Sequence, residues 1–360
     1  MAATQSFVPA TDLTTPGSAR ATALPRDCSF TEEDWRALAP FWYPVAFTRD
    51  VTQKPCAVRL LDERVVVYRL SDGAVCAARD ICYHRGVPLS LGHVEGDEIV
   101  CKYHGLRYDR QGRCTCIPAH PGGAISPRLR LDMYPAQERY GLVWVRLVDD
   151  GLRELPVLAE WDDPAYLQVL PESVDIAAAA GRQVEGFLDV SHFAFVHKES
   201  FGEPDNPVVP DYKVTKTERG FVADYISTVS NYAHGYKHLG PPGFLWHRRF
   251  EVYLPFTAKL TVTFPDGGLL HILNAASPVS ARKTRLFMPL CRNFDTDAPI
   301  EPTLDFNYQV FAEDIEIVQT QFPEDLPLKL HDEAHFPADR SSITYRKGLS
   351  ELGLGRSYTA

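Results

Sequence analysis

The sequence predicts an α+β protein, with an all-β N-terminal part followed by a strand-rich C-terminal part flanked by helices. Three observations carry this. Short β-branched and aromatic runs separated by turn residues occupy 43–148. After about residue 150, apolar residues fall at helical spacing. Strand-like runs return over 212–290 before helical spacing resumes.

Taken in order, residues 1–27 mix Ala, Thr, Ser and Pro without periodicity and read as a flexible arm. Thr31 can cap a short helix. Its first turn, Glu32, Glu33 and Asp34, suits the positive helix end, and Trp35, Leu38 and Ala39 form its apolar stripe. Runs at 58–61, 64–68, 98–101 and 142–147 read as strands of a small antiparallel sandwich or barrel, with Asp72-Gly73, Gly96-Asp97, Gly112 and Gly122-Gly123 as turns. A Pro-containing connection follows at 155–163. Residues 175–196 read as one helix burying Val184, Phe187, Leu188, Ser191 and Phe195. Strands are expected at 221–228, 249–254, 258–264, 269–274 and 284–290, and a helix at 304–321. A last helix starts near Ser341, with Tyr345, Leu349 and Leu352 on one face and Gly353 just past its end.

Composition narrows the function. The chain has 360 residues, 45% hydrophobic and 23% charged, a globular balance with length for two domains. A net charge of −10 gives no electrostatic case for nucleic-acid binding. No run of 18 apolar residues predicts a membrane helix. No basic segment followed by an apolar one predicts secretion, so a cytoplasmic location is expected. Eight cysteines are too few for a disulfide scaffold, and in a reducing compartment their spacing points to metal binding.

Cys82-Tyr83-His84 and Cys101-Lys102-Tyr103-His104 are separated by sixteen residues. Each half brings one thiolate and one imidazole from a tight loop. Gly86 and Gly105 sit where the backbone must turn close to a bound group. A structural zinc site is one reading, but its usual pattern is a Cys pair followed by a His pair. The mixed C-x-H and C-x-x-H pattern suits a Rieske [2Fe–2S] centre, in which two Cys bind one iron and two His the other. Cys114-Thr115-Cys116 reads as two ordinary loop cysteines, with a cover for the cluster loops or a second metal as alternatives. His93 and His120 read as structural or surface residues.

A second group follows at Asp189, His192 and His197. On a straight helix, residues five apart point about 140° from each other. One ion shared by both histidines therefore requires the helix to end or distort between them. Two imidazoles and a carboxylate form the ligand set of non-haem Fe(II) oxygenases. The competing reading is a capped helix with two satisfied core histidines.

The two groups together, with Asp189 lying 85 residues after His104, resemble the catalytic subunit of the Rieske non-haem iron oxygenases. The resemblance covers roughly 40–200 and 303–353. It is closest to the monooxygenase and demethylase branch, which includes methylxanthine N-demethylases, vanillate O-demethylases and saxitoxin-tailoring hydroxylases. Stretches 117–121, 138–141 ahead of Trp144, and 337–346 look like that branch.

That resemblance implies a Rieske domain at 28–150 and, at 151–360, a mononuclear iron catalytic domain of helix-grip (START-like) fold. It implies that Cys82, His84, Cys101 and His104 carry the cluster. It makes His192, His197 and Asp314 the ligands of a mononuclear iron, with Glu313 and Asp305 as weaker candidates for the third. Asp189 looks like the catalytic bridging carboxylate, joining a cluster histidine and an iron histidine across subunits of a homotrimer. Gly186 stands where the family commonly has Asn, so no side-chain amide is offered there. The implied cosubstrates are O₂ and NAD(P)H. No nucleotide-binding fingerprint appears in the chain, so electrons are expected from a separate reductase or ferredoxin.

The expected function is hydroxylation or oxidative demethylation of a small organic substrate. The alternatives are a cis-dihydroxylating ring dioxygenase, a Rieske electron-transfer protein, and a zinc-stabilised binding module. Pocket residues are expected from 201–300. Candidates are Phe201, Tyr225, Tyr232, Phe244 and Trp246, with Asn231, His234 and His247 as polar ones; each reads equally well as core.

Overall fold

The computed structural model describes residues 23–151 and 153–355. Most of the expected arm at 1–27 lies outside the described residues. Helix α1 spans Glu32–Leu38, and the Thr31 hydroxyl accepts the Asp34 N–H at 3.3 Å, as the capping pattern requires. Trp35 and Leu38 are buried, and the indole N–H donates to the Leu61 carbonyl at 3.0 Å.

The N-terminal part is built from three small antiparallel sheets. Tyr43–Phe47, Leu142–Val145 and Ala136–Arg139 form the first. Cys56–Leu60, Glu63–Arg69, Val75–Arg79 and Met133–Tyr134 form the second. The third is His93–Glu95, Glu98–Val100, Arg107–Tyr108 and Cys114–Cys116. A compact core, including Tyr68, Leu89, Ile99 and Tyr108, lies under two loops and takes in Cys82 and Cys101.

The C-terminal part is one antiparallel sheet of nine strands. Its main path runs Leu167–Val169, Leu290–Arg292, Leu269–Ser280, Thr257–Thr263, Trp246–Tyr253, Gly220–Ser227 and Lys213–Thr217. Val174–Ile176 and Lys283–Phe287 pair beside it. Helices α2 (Ala180–Leu188), α3 (Phe193–Val196), α4 (Glu301–Val318) and α5 (Arg340–Glu351) complete this part, and α2 packs against the sheet, α4 and α5.

Three expectations change. The single helix at 175–196 is a strand, then α2, then the one-turn α3. The break follows from Asp189, which is extended (φ −73°, ψ 130°) and accepts the Ser191 N–H at 2.8 Å. Such a local side-chain bond competes with the helical one. In consequence Phe195, expected on the buried face, is 62% exposed. The strand at 269–274 runs on to Ser280, and the run at 284–290 splits near Pro289, which has no N–H to give a ladder.

The core crosses residue 150 without interruption. Trp35, Val65 and Val145 belong to one cluster with Val184, Phe250 and Tyr345. The Leu61 and Asp62 N–H groups donate to the carbonyls of Pro278 and Val279 at 2.7 and 3.0 Å. A buried ion network ties α5 to α2: Arg346 grips Glu185 through two bonds of 2.6 and 2.8 Å and also meets Glu333 at 2.6 Å.

Candidate metal centres and substrate cavity

The two Cys–His loops share one design. The Cys82 N–H donates to Val87 O and the Gly86 N–H to Cys82 O, both at 2.8 Å. Correspondingly, the Cys101 N–H donates to Leu106 O and the Gly105 N–H to Cys101 O, both at 2.9 Å. Gly86 and Gly105 have φ of +73° and +70°, which a side chain disfavours. Both thiols are buried, and the His84 and His104 rings stand 4.6 Å apart. Burial pushes the Cys101 thiol up, with the neighbouring Cys82 adding to it. Desolvation, then Arg85 and His104, lower the His84 imidazole, which favours the neutral ring a metal needs.

His84 Nδ1 is buried and meets no hydrogen-bond partner among the described residues. Two buried thiols and an orphaned imidazole nitrogen fit a metal group. Among the described residues, the only three or more Cys, His, Asp or Glu side chains with ligand atoms all within 4.8 Å are His192, His197 and Asp314. In the Cys–His loops, each loop brings one Cys and one His rather than a Cys pair and a His pair, which suits a two-iron group. The Tyr108 hydroxyl lies 3.2 Å from Cys82 Sγ. Cys114 and Cys116, expected in a loop, are in a strand instead, and His93 and His120 are exposed.

The second centre depends on the shortness of α3. His192 is its N-cap and His197 its C-cap, where the backbone leaves the helix (φ −90°, ψ 22°). The helix thus ends at His197, as one shared ion requires. The two Nε2 atoms are 3.1 Å apart, and Asp314 Oδ1, from α4, lies 3.3 and 3.2 Å from them. A triangle of that size has its corners about 1.9 Å from its centre, close to metal–ligand bonds of about 2.0–2.2 Å. Asp305 is exposed on α4 and outside this group.

Glu313 is not a corner of the triangle. Its Oε2 meets His197 Nδ1 at 2.8 Å and accepts from Ser200 Oγ at 2.7 Å. Asp189 Oδ2 lies 3.4 Å from His192 Nδ1. Each ring therefore faces a carboxylate on its outer nitrogen and turns Nε2 inward, the arrangement that orients ligating histidines. Burial opposes ionisation of Asp314, yet His192 and His197 hold its carboxyl below the usual value. Burial likewise opposes a charge on His192, but Asp189 and Asp314 push it up to about 9. The site attracts positive charge, and its donor set fits a divalent metal ion.

The triad opens on a cavity enclosing about 670 Å³ of empty space, part of it open to solvent. Strand register makes its floor. Arg248, Val262 and Leu270 pair across three strands, and Phe250, Leu260 and Ile272 form the next row. Gly186 lines the cavity where α2 comes near α4; a Cβ there would stand 3.2 Å from Val318 Cγ2.

Of the candidates from 201–300, Phe201 and Asn231 reach the cavity. Tyr232, Phe244 and Trp246 pack in a neighbouring cluster, and Tyr225 is core. His234 meets the Lys198 carbonyl and His247 meets Asp224. Sequence reasoning missed Arg248. Its signal was present: in the alternation Trp246, Arg248, Phe250, Val252, an arginine occupies the buried face.

Two facing Cys–His loops and a His–His–carboxylate triad on one chain are the pattern of the Rieske-type oxygenases. The chain belongs to the Rieske non-haem iron oxygenase family: residues 41–135 match the Rieske [2Fe-2S] domain, and 176–354 the vanillate O-demethylase oxygenase C-terminal domain. It is 36% identical over 326 residues to methylxanthine N1-demethylase NdmA of Pseudomonas putida, covering 88% of this chain and 89% of that protein. It is 30% identical to methylxanthine N3-demethylase NdmB of the same organism, covering 89% and 91%. The structure of Pseudomonas putida CBB5 NdmA with caffeine superposes with a TM-score of 0.80 at 32% identity, covering 89% of this chain and 92% of that one.

The protein is therefore an oxidoreductase of the monooxygenase type that carries a Rieske cluster. The readings as an electron carrier and as a zinc-stabilised module fall, and the demethylase relatives favour monooxygenation over cis-dihydroxylation. Among the described residues, no helix is long and apolar enough to cross a membrane.

Proposed function

We propose that this chain hydroxylates a methyl carbon on nitrogen or oxygen of a small, largely apolar substrate, and so removes it. The observation that carries this reading is the Nε2, Nε2, Oδ1 triangle in the wall of an apolar cavity. Hydroxylation of N–CH₃ or O–CH₃ gives an unstable N–CH₂OH or O–CH₂OH, which releases formaldehyde and leaves N–H or O–H. The demethylase activity named for NdmA and NdmB supports the same chemistry here.

In this reading Cys82, His84, Cys101 and His104 hold the cluster, within a domain at 28–150. His192, His197 and Asp314 hold iron(II), within a domain at 151–360. When bound, the cluster supplies electrons singly and the iron supplies open positions for O₂. The protein's own residues do the rest. Asp189 and Glu313 keep the outer nitrogens of His192 and His197 protonated, so that Nε2 stays free to ligate. Phe250, Leu260, Val262 and Ile272 exclude water and hold the apolar body of the substrate beside the triad.

The electrons come from NAD(P)H through a separate reductase or ferredoxin. Among the described residues Asp189 meets His192 and Ser191 but no cluster histidine, while His104 is exposed. This supports a homotrimer in which Asp189 faces a cluster histidine of the next subunit. The cytoplasm provides the reducing surroundings.

The test is anaerobic purification followed by iron and sulfide analysis, then turnover with a reductase and N-methyl and O-methyl compounds. About three irons and two sulfides per chain are expected. Formaldehyde should form in step with substrate loss. Zinc without sulfide, or a doubly hydroxylated ring product, overturns the proposal.

A further inference from the structure

Arg248 is 1% exposed, yet no carboxylate among the described residues lies within ion-pair distance. Its guanidinium donates to the carbonyls of Val229 (3.1 Å from both Nη1 and Nη2) and Ser230 (3.2 Å), and to Asn231 Oδ1 (3.3 Å). Carbonyls satisfy N–H groups but do not neutralise a charge. Other buried arginines differ: Arg146, Arg182 and Arg346 each face a carboxylate. Arg292, which has none within reach, lies outside the cavity.

Donors on both side chains at this corner remain unused. Among the described residues the Arg248 Nε–H meets no acceptor. Asn231 turns its oxygen to Arg248, and among the described residues its amide N–H₂ meets no acceptor. Both side chains line the cavity. A clamp serving the 229–231 segment alone would need neither of these donors. The corner is also near the triad. Arg248 Cζ stands 5.4 Å from the centre of the Phe193 ring, which lies 5.1 Å from His192 and 5.9 Å from His197. One small ring system spans such a gap.

We propose that Arg248 and Asn231 form a specificity subsite for a single carboxylate, so that the cavity takes a small, largely apolar carboxylic acid with its reacting group held at the triad. The proposal deepens the oxygenase reading and rests on it only for which end reacts. Val262 and Leu270, beside Arg248 on the floor, offer nothing to a second charge. The guanidinium meets the carboxylate through Nε–H and the Asn231 amide adds a second bond, while the apolar rows cover the ring.

The test is calorimetric titration of iron- and cluster-loaded protein without oxygen. The probes are matched pairs: 4-methoxybenzoate, 3-methoxybenzoate and 3,4-dimethoxybenzoate, each against its neutral benzamide. At least one carboxylate should bind about tenfold or more tightly than its amide, as a charge-assisted bond predicts. Arg248→Gln should bring that ratio near one, and Arg248→Lys should keep part of it. Absence of carboxylate binding, equal or tighter binding of every amide, or a ratio unchanged in Arg248→Gln overturns the subsite. The wild-type ratio needs no variant to fold. Iron analysis of the same samples separates the two claims. Protein without a mononuclear iron sinks the oxygenase reading, whereas iron-loaded protein with no carboxylate preference sinks only the subsite.

Discussion

Glu313 Oε2 stands 2.8 Å from His197 Nδ1, across the ring from the Nε2 that faces His192 and Asp314. The next residue, Asp314, reaches 3.2 Å from Nε2 of the same ring. Successive helical residues point about 100° apart, and the imidazole fills that angle. One turn of α4 therefore supplies both a carboxylate of the candidate metal site and the group that orients one of its histidines. The Ser200 hydroxyl and Gln309 amide hold Glu313 in turn, at 2.7 and 3.3 Å.

Glu313→Ala should weaken retention of the mononuclear iron by about 10–100-fold, the usual cost of losing an outer carboxylate. Chelator competition followed by iron analysis reads this directly. Glu313→Gln, which keeps an acceptor, should lose less. The Rieske absorption should not change in either variant.

Asp314→Ala should remove one iron per chain and abolish turnover while the cluster spectrum persists. Asp305→Ala, at an exposed position of the same helix, should leave iron content and turnover unchanged. Equal losses from both variants would refute the assignment of Asp314.

Tyr108→Phe should make the cluster's reduction potential more negative. Its hydroxyl, 3.2 Å from Cys82 Sγ, stabilises negative charge on sulfur, and that charge grows on reduction. A redox titration followed by the Rieske absorption measures the shift. An unchanged potential would remove Tyr108 from the cluster's surroundings.

The network of Arg182, Glu185, Glu333 and Arg346 predicts a pH-dependent stability. Burial opposes ionisation of Glu333, but Arg182 and Arg346 hold its carboxyl below the usual 4.5. Its contribution is complete above about pH 4.5 and is lost as the pH falls through the lower folded value. Denaturant midpoints between pH 7 and 3 should decline over that range, and less steeply in Glu333→Gln. Arg346→Met should cost about 3–5 kcal/mol at neutral pH, because the buried Glu185 loses its two short bonds and keeps only Arg182, 3.6 Å away.

Much of both candidate metal sites was legible because their residues lie close in sequence. Cys82 and His84, and likewise Cys101 and His104, each belong to one loop, so spacing alone exposed them. His192 and His197 were equally visible, and their five-residue interval already required a helix end, which the structure supplies at His197. The break before His192 was not visible, because Asp189 bonding to Ser191 competes with a pattern of apolar residues that otherwise continues. Phe195 was misjudged for that reason.

The amino-acid sequence by itself determined the metal chemistry, the all-β then α+β order, and the strands whose alternation marks a buried face. These depend on residue type and on intervals of a few positions, which a linear chain displays. The tertiary structure put Asp314, and not Glu313, beside the two Nε2 atoms, joined the two parts in one core, and put Arg248 beside Asn231 at the corner of an apolar cavity. Adjacent carboxylates on one helix differ in direction and reach, which the chain's linear order does not display. A buried arginine acquires meaning only from the carboxylate it lacks, and both facts exist only once distant segments have packed together.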